Sequence, residues 1–210
     1  MISIEEAQRI VLKHIALLGT QEVPLFQGLN RVIAEDRIAP WSIPAADNSA
    51  MDGFAFAHRS LRGDRLRISG FLPAGETFSE PVPAGTAIRI MTGAPLPEGC
   101  DTVAPLEEVE EQGEWIRLAS QVDAGSFVGK KGEDLQEADL VIPAGTRLRP
   151  QEIGMLSAMG KTSVTVYRRA QVAILATGDE LLEPGTAPRP GKVTNSNNYG
   201  LAAQVVDAGA

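Results

Sequence analysis

Between Phe54 and about Ile142 the chain keeps no helical period. Short β-prone runs, among them Leu66-Arg67-Ile68, Ala87-Ile88-Arg89-Ile90, Thr102-Val103-Ala104 and Trp115-Ile116-Arg117-Leu118, alternate there with turn residues. Such a stretch can build only short strands, and it predicts a small β-barrel or sandwich. Glycine (21) and proline (14) make up about a sixth of the 210 residues, below the roughly 25–30% that marks disorder. Pro-Ala-Gly recurs at 73–75, 83–85 and 143–145, twice continuing as Thr-x-Ile/Leu-Arg. Proline followed two places on by glycine suits a turn at a strand entrance, so the echo reads as repeated turn chemistry rather than a duplicated domain. The acidic run Glu107, Glu108, Glu110, Glu111 before Gly113 reads as a solvated hairpin tip.

Helical signals flank this region. Ser3-Ile4-Glu5-Glu6 is a capping box, and Ile4, Ala7, Ile10, Val11, Ile15 and Leu18 form one apolar stripe that Gly19 stops, with His14 half-buried beside it. A second short helix is expected over 28–36, and Pro40 and Pro44 then impose an extended approach. A third helix runs from Pro150 to Met159, ending at Gly160. Gln171 to Thr177 reads as a buried strand breaking at Gly178-Asp179-Glu180. Beyond it, Asn195-Ser196-Asn197 opens a helix carrying Leu201, Ala202, Val205 and Val206, the start of an α/β unit.

Composition narrows the function classes. A formal charge of −8 with no Lys/Arg run leaves no nucleic-acid footprint. Cys100 is the sole cysteine and His14 and His58 the only histidines, which excludes an internal disulfide and a Cys/His zinc site. The start lacks a secretory pattern and no run reaches the roughly 18 apolar residues of a membrane span, so a cytoplasmic protein is expected.

The stretch most charged with possible chemistry is Pro44-Ala45-Ala46-Asp47-Asn48-Ser49-Ala50-Met51-Asp52-Gly53-Phe54-Ala55. Its Asx, Ser and Gly residues favour a packed loop presenting Asp47, Ser49 and Asp52, although a plain Asx-capped turn uses the same residues. Ala87-Ile88-Arg89-Ile90-Met91-Thr92-Gly93-Ala94-Pro95-Leu96-Pro97 follows, then Lys131-Gly132-Glu133-Asp134, then Val172 to Leu181 with Asn195-Ser196-Asn197. Residue chemistry alone adds that a helix N-terminus at Asn195-Ser196-Asn197 suits a phosphate group as well as simple capping. One of the carboxylates of Asp179 and Glu180 suits capping of the next turn.

In this order these four stretches resemble the N-terminal part of the molybdopterin molybdenumtransferases, the MoeA and gephyrin E-domain family. The resemblance implies a multidomain α/β plus β fold. It has a discontinuous elongated domain (1–38 and 139–168), an inserted small β-barrel-like domain (39–138) and a truncated MogA-like α/β domain (169–210). It implies a transferase of molybdenum cofactor biosynthesis that inserts molybdate into adenylylated molybdopterin and releases AMP. Asp52, Thr92, Asp134 and Glu180 match the family's catalytic positions. Ser49, Asp179, Asn195 and Ser196 match ligand-binding ones, with Asp134 and Glu180 as metal ligands.

Both substrates are anions. A carboxylate 4 Å from a phosphate oxygen is opposed by roughly 4 kcal/mol at an effective dielectric near 20, so a hard cation such as Mg²⁺ is expected to bridge them. Arg89, Lys130, Lys131 and Lys192 are read mainly as solvated. Family members continue beyond the length of this chain, so 210 residues alone are expected to be inactive. They dimerise through the elongated domain, and a MogA-like adenylyltransferase is the expected partner. Alternative readings are a gephyrin-type scaffold module and a MogA-like molybdopterin adenylyltransferase.

Overall fold

The computed structural model describes residues 2–210. They form two compact units, one from the N-terminal segment to Arg37 with Leu140–Ala210, the other from Ile38–Asp139. In chain order the helices are α1 (Ile4–Lys13), α2 (Pro150–Ala158) and α3 (Asn197–Asp207). The principal strands are β1 (Thr20–Pro24), β2 (Gly53–Phe56), β3 (Arg65–Leu72), β4 (Thr86–Ile90), β5 (Thr102–Pro105), β6 (Val109–Gln112), β7 (Trp115–Leu118) and β8 (Ser163–Tyr167).

The 38–139 unit is built on one six-stranded mixed sheet in the order β5-β2-β4-β3-β7-β6. Only β3 and β4 run parallel, with a register shift between Ile68 and Gly70. The edge strands β5 and β6 are consecutive in sequence, joined by the single turn Leu106–Glu108. Six strands about 4.8 Å apart would set flat edges roughly 24 Å from each other, farther than four residues can reach at about 3.5 Å each. The sheet must therefore curl, giving a half-barrel rather than a two-sheet sandwich.

Period-two alternation fills both faces of the sheet. Phe54 and Phe56 pack with Leu66, Ala87, Ala104, Ile116 and Leu118 on one face. Ala55 points the other way, toward Leu72, Ile88, Ile90 and Val103. β2 is consequently buried at every position, which fits its place between two antiparallel neighbours.

The Pro-Ala-Gly echo is turn chemistry. Gly75, Gly85 and Gly145 have φ of 84°, 78° and 87°. Thr86 and Thr146 each donate a hydroxyl hydrogen bond, at 2.7 Å, to the carbonyl of the proline three places back. The acidic run lies along β6 and its preceding turn, and Gly113, with φ 65°, makes the hairpin into β7.

In the other unit β1 and β8 form an antiparallel ribbon from Thr20↔Tyr167 to Pro24↔Ser163. Ile33, Leu148, Leu156, Met159, Val164 and Val166 are among the buried side chains of this unit. Helix α2 appears where expected, with Gly160 at φ 71° beyond its end. A Cβ at Gly28 would lie 2.8 Å from Val164 Cγ1 and 3.2 Å from Leu148 Cδ1, so the ribbon closes over this position only because it is glycine.

Three expectations fail here. The first helix stops at Lys13, not at Gly19, and His14 is exposed at its C-cap rather than half-buried. No side chain of α1 is buried, so nothing in the unit holds a further turn. The stretch 28–36 is not helical, because distant partners claim its backbone. Asn30 N–H donates to Leu148 O at 2.8 Å, Ile33 N–H to Thr146 O at 3.0 Å, and Val32 O accepts from Tyr167 N–H at 2.9 Å. Residues 171–177 form no strand, for no neighbouring strand pairs with them. The parallel pairing of this region lies instead between Leu181–Leu182 and Val193–Thr194. Among the described residues no helix is long and apolar enough to cross a membrane.

Candidate functional site

The 44–55 stretch folds as a packed loop clamped by two other segments of its unit. Ser49 N–H donates to Ala94 O at 3.0 Å, and Ser49 O accepts from Gly93 N–H at 2.8 Å. Asn48–Ser49 pairs antiparallel with Val128–Gly129, and Ala50 N–H donates to Phe127 O at 2.9 Å. Ser49 is buried, and its hydroxyl donates to Met51 O at 2.5 Å, so it shapes the loop rather than facing solvent. At the loop's end Gly53 starts β2, where a Cβ would lie 2.1 Å from Ala104 O. The glycine is demanded by the closeness of β5, not by an unusual φ.

This clamp brings Asp52 and Thr92 together. Asp52 Oδ1 accepts from Thr92 N–H at 2.7 Å and from Thr92 Oγ1 at 2.6 Å. The Thr92 hydroxyl first, then its N–H, with Arg89 adding its charge, hold the Asp52 carboxyl below the usual aspartate range. A carboxyl so held is ionised at neutral pH. It serves as an acceptor or a hard-cation ligand rather than as a general acid. Among the described residues its Oδ2 takes no hydrogen bond.

Asp47 is the second anchored carboxylate. Its Oδ1 accepts from Lys131 N–H and its Oδ2 from Lys130 Nζ, both at 2.9 Å, which also lowers its pKa. Lys130 N–H in turn donates to Glu133 Oε2 at 2.8 Å. Sequence reading left Lys130 and Lys131 mainly solvated and had Asp47 either presented by the loop or capping a turn. The structure makes them a long-range tie from the loop to the 130–134 turn. The proximity of Lys130-Lys131 to a motif acid was the only sequence signal for it. Arg89 likewise sits 3.4 Å from Glu111 in an ion pair. Asp134 has an exposed carboxylate that takes no hydrogen bond among the described residues, and its N–H donates to Ile43 O at 3.1 Å.

Glu180, Asp179, Asn195 and Ser196 belong to the other unit. Gly178, at φ 147°, lies under the Glu180 carboxylate, whose oxygens would sit 2.4 Å from a Cβ there. Val193 N–H donates to Glu180 O and Asn195 N–H to Leu182 O, each at 2.8 Å, while Lys192 Nζ donates to Asp179 O at 2.6 Å. The buried Asn195, not Ser196, caps α3, its Oδ1 accepting from Asn198 N–H at 3.3 Å. Among the described residues no three His, Cys, Asp or Glu side chains gather as they do around a metal ion. Burial pushes the Cys100 thiol up to about 12, leaving it inert.

The sequence profile described as the MoeA N-terminal region (domain I and II) matches residues 2–160. The chain belongs to the MoeA family. Over its whole length it is 35% identical to molybdopterin molybdenumtransferase 2 of Mycobacterium tuberculosis and 36% identical to the molybdopterin molybdenumtransferase of Bacillus subtilis. It covers 53% and 51% of those two proteins, and so spans about half the length of the curated relatives it matches. Among solved structures, a molybdopterin biosynthesis MoeA protein of Pyrococcus horikoshii superposes with a TM-score of 0.89 at 32% identity, over 98% of this chain and 57% of that one. Within this MoeA chain the loop, the Met91-Thr92-Gly93 turn and the 127–134 segment are thus one local assembly. Among the described residues, its groups without a hydrogen bond include Asp52 Oδ2 and the Asp134 carboxylate.

Proposed function

We propose that this chain is the N-terminal part of a molybdopterin molybdenumtransferase, which inserts molybdate into adenylylated molybdopterin and releases AMP in molybdenum cofactor biosynthesis. The observation that carries the reading is similarity at 34–36% identity, over the whole of this chain and about half of each relative, to proteins that bear that name. We assign 1–38 with 139–168 to an elongated domain, 39–138 to a domain inserted in it, and 169–210 to the opening of a MogA-like α/β domain. The protein works as a cytoplasmic homodimer and receives its substrate from a MogA-like adenylyltransferase.

Thr92 fixes Asp52 as an oriented, ionised acceptor, and Asp47 with Lys130 and Lys131 fixes the loop that carries it. Asp134 in one unit and Glu180 in the other would each offer a hard carboxylate oxygen of the kind Mg²⁺ takes. Such an ion would supply positive charge to offset that of the phosphate groups. The N–H groups of Asn195 and Ser196 are taken by Leu182 O and Thr194 O, so the first-turn N–H groups of α3 at Asn197 and Tyr199 are the ones left for the phosphate side of the ligand.

Calorimetric titration of the whole protein with adenylylated molybdopterin, with and without Mg²⁺, tests the reading. Binding should need the ion, and Asp52→Asn and Glu180→Gln should lower cofactor output while leaving the fold intact. Wild-type output from both variants would remove these residues from the mechanism.

A further inference from the structure

Among the described residues, three that are not glycine take a positive φ: Asn30 at 63°, Phe127 at 55° and Ala138 at 73°. Asparagine enters the left-handed region readily and alanine brings only a Cβ to it, whereas a bulky side chain there is a genuine outlier. Phe127 is that outlier.

The fold imposes the conformation. Gly125 N–H donates to the buried Thr102 Oγ1 at 3.1 Å and Val103 N–H to Ser126 O at 3.0 Å, which fixes the preceding turn against β5. One residue on, Phe127 O accepts from Ala50 N–H at 2.9 Å, and Val128–Gly129 pairs with Asn48–Ser49. The chain turns at 127 to pass from β5 to the 44–55 loop. Every one of these bonds lies within the 38–139 unit.

Glycine or asparagine meets that backbone demand at little cost, yet phenylalanine stands there, and core packing does not account for it. The side chain is 38% exposed and is absent from both apolar clusters of the sheet. Its place in the unit sets it apart. Through Ala50 its backbone is tied two positions from Asp52, and Met51, between Ala50 and Asp52, is likewise open to solvent at 37%. Strain that a fold over-determines in this way clusters where ligands are held.

We infer that the Phe127 ring is a ligand contact, a stacking face for a flat nitrogen heteroaromatic ring, with the soft Met51 thioether as its apolar neighbour. The inference rests on the proposed substrate, because adenylylated molybdopterin carries two such rings, the pterin and the adenine. An aromatic face accepts either one by offset stacking. Phe127 thereby takes a planar, uncharged part of the ligand and leaves its phosphates to other groups.

Phe127→Asn removes the ring and puts a residue suited to the backbone in its place, so two measurements separate a ligand contact from a packing role. The whole protein is titrated with pterin and, in a separate arm, with AMP. Wild type should bind at least one of them, and Phe127→Asn should weaken that binding at least about fivefold, while Phe127→Tyr, which keeps the ring, retains it. A loss confined to pterin assigns the stack to the pterin, and a loss confined to AMP assigns it to the adenine. Without ligand, the melting temperature of Phe127→Asn should hold or rise, since the strain is relieved. A fall in melting temperature, or failure to fold, would assign the ring to packing and overturn the inference. So would absence of binding by wild type in both arms, or equal affinity in Phe127→Asn. Mg²⁺-dependent binding of adenylylated molybdopterin that is equal in wild type and Phe127→Asn sinks the ring contact and leaves the proposed function standing. Ring-dependent binding of pterin or AMP, with no binding of adenylylated molybdopterin, does the reverse.

Discussion

Asp52 Oδ1 takes both hydrogen bonds that Thr92 offers, at 2.7 Å from the N–H and 2.6 Å from the hydroxyl, across 40 positions of sequence. The folded pKa of Asp52 therefore lies below its unfolded value. The stability this confers is present above the ordinary aspartate pKa, about 3.9, and is lost as pH falls from there through the folded value. Thr92→Val keeps the N–H bond and removes the hydroxyl. The Asp52 pKa, followed by carboxyl NMR titration, should then rise toward the ordinary value. An unchanged titration would mean that the hydroxyl contributes nothing.

Gly53 stands where β2 meets β5, with Ala104 O only 2.1 Å from the position of a Cβ. The obstacle is backbone inside a six-stranded sheet, which cannot swing aside as a side-chain tip can. Gly53→Ala should cost at least about 2 kcal/mol in urea denaturation, at the upper end of overpacking effects. It should also disturb Asp52, whose carbonyl accepts from Leu106 N–H at 3.0 Å. A loss within about 0.5 kcal/mol, the range of ordinary surface changes, would show that the strand spacing relaxes.

Local chemistry was legible in the sequence, and long-range pairing was not. The Pro-Ala-Gly turns, the β-runs of 65–118 and helix α2 all follow from residues within a few positions of one another. The 28–36 stretch carries apolar Leu29, Val32 and Ile33 at helix-like spacing, yet its N–H groups and carbonyls serve residues 146, 148 and 167. Nothing local announces those partners. At the site the same division holds. Asp52 and Thr92 could be grouped by motif, whereas the Asp47 tie to Lys130 spans 83 positions and rests on a loop closure that no nearby residue encodes.

Glu152 locks the start of α2. Its Oε2 accepts from Arg149 N–H at 2.8 Å, and its Oε1 from Arg149 Nη2 at 2.5 Å. The Arg149 side chain, with its N–H and charge, pulls the Glu152 carboxyl down to about 2. Its contribution is complete above the ordinary glutamate pKa and disappears as pH falls from about 4.3 through about 2. Glu152→Gln should lower the melting temperature at neutral pH, and the gap to wild type should close across that acid window. A gap that stays constant down to pH 2 would place the stabilisation in packing rather than in charge.

The run Gln171 to Thr177 has the β-branched and apolar content of a core strand but none of its bonding. Among the described residues none of its backbone N–H groups finds an acceptor, and Val172 and Leu175 are 52% and 87% exposed. A strand is protected from exchange by partners on its edges, and an apolar run without them opens at little cost or captures an edge from another chain. Its flank at 193–195 is better tied, since Val193 and Asn195 donate to Glu180 and Leu182. Amide exchange of a monomeric sample should therefore be fastest over 171–177, slower at Val193 and Asn195, and slowest in β2, which is hydrogen-bonded on both sides and buried throughout. Raising the protein concentration should slow exchange over 171–177 only if chains pair there. Protection of 171–177 equal to that of β2 in the monomer would mean that the run finds a partner within its own chain and that the argument from its unpaired amides is wrong.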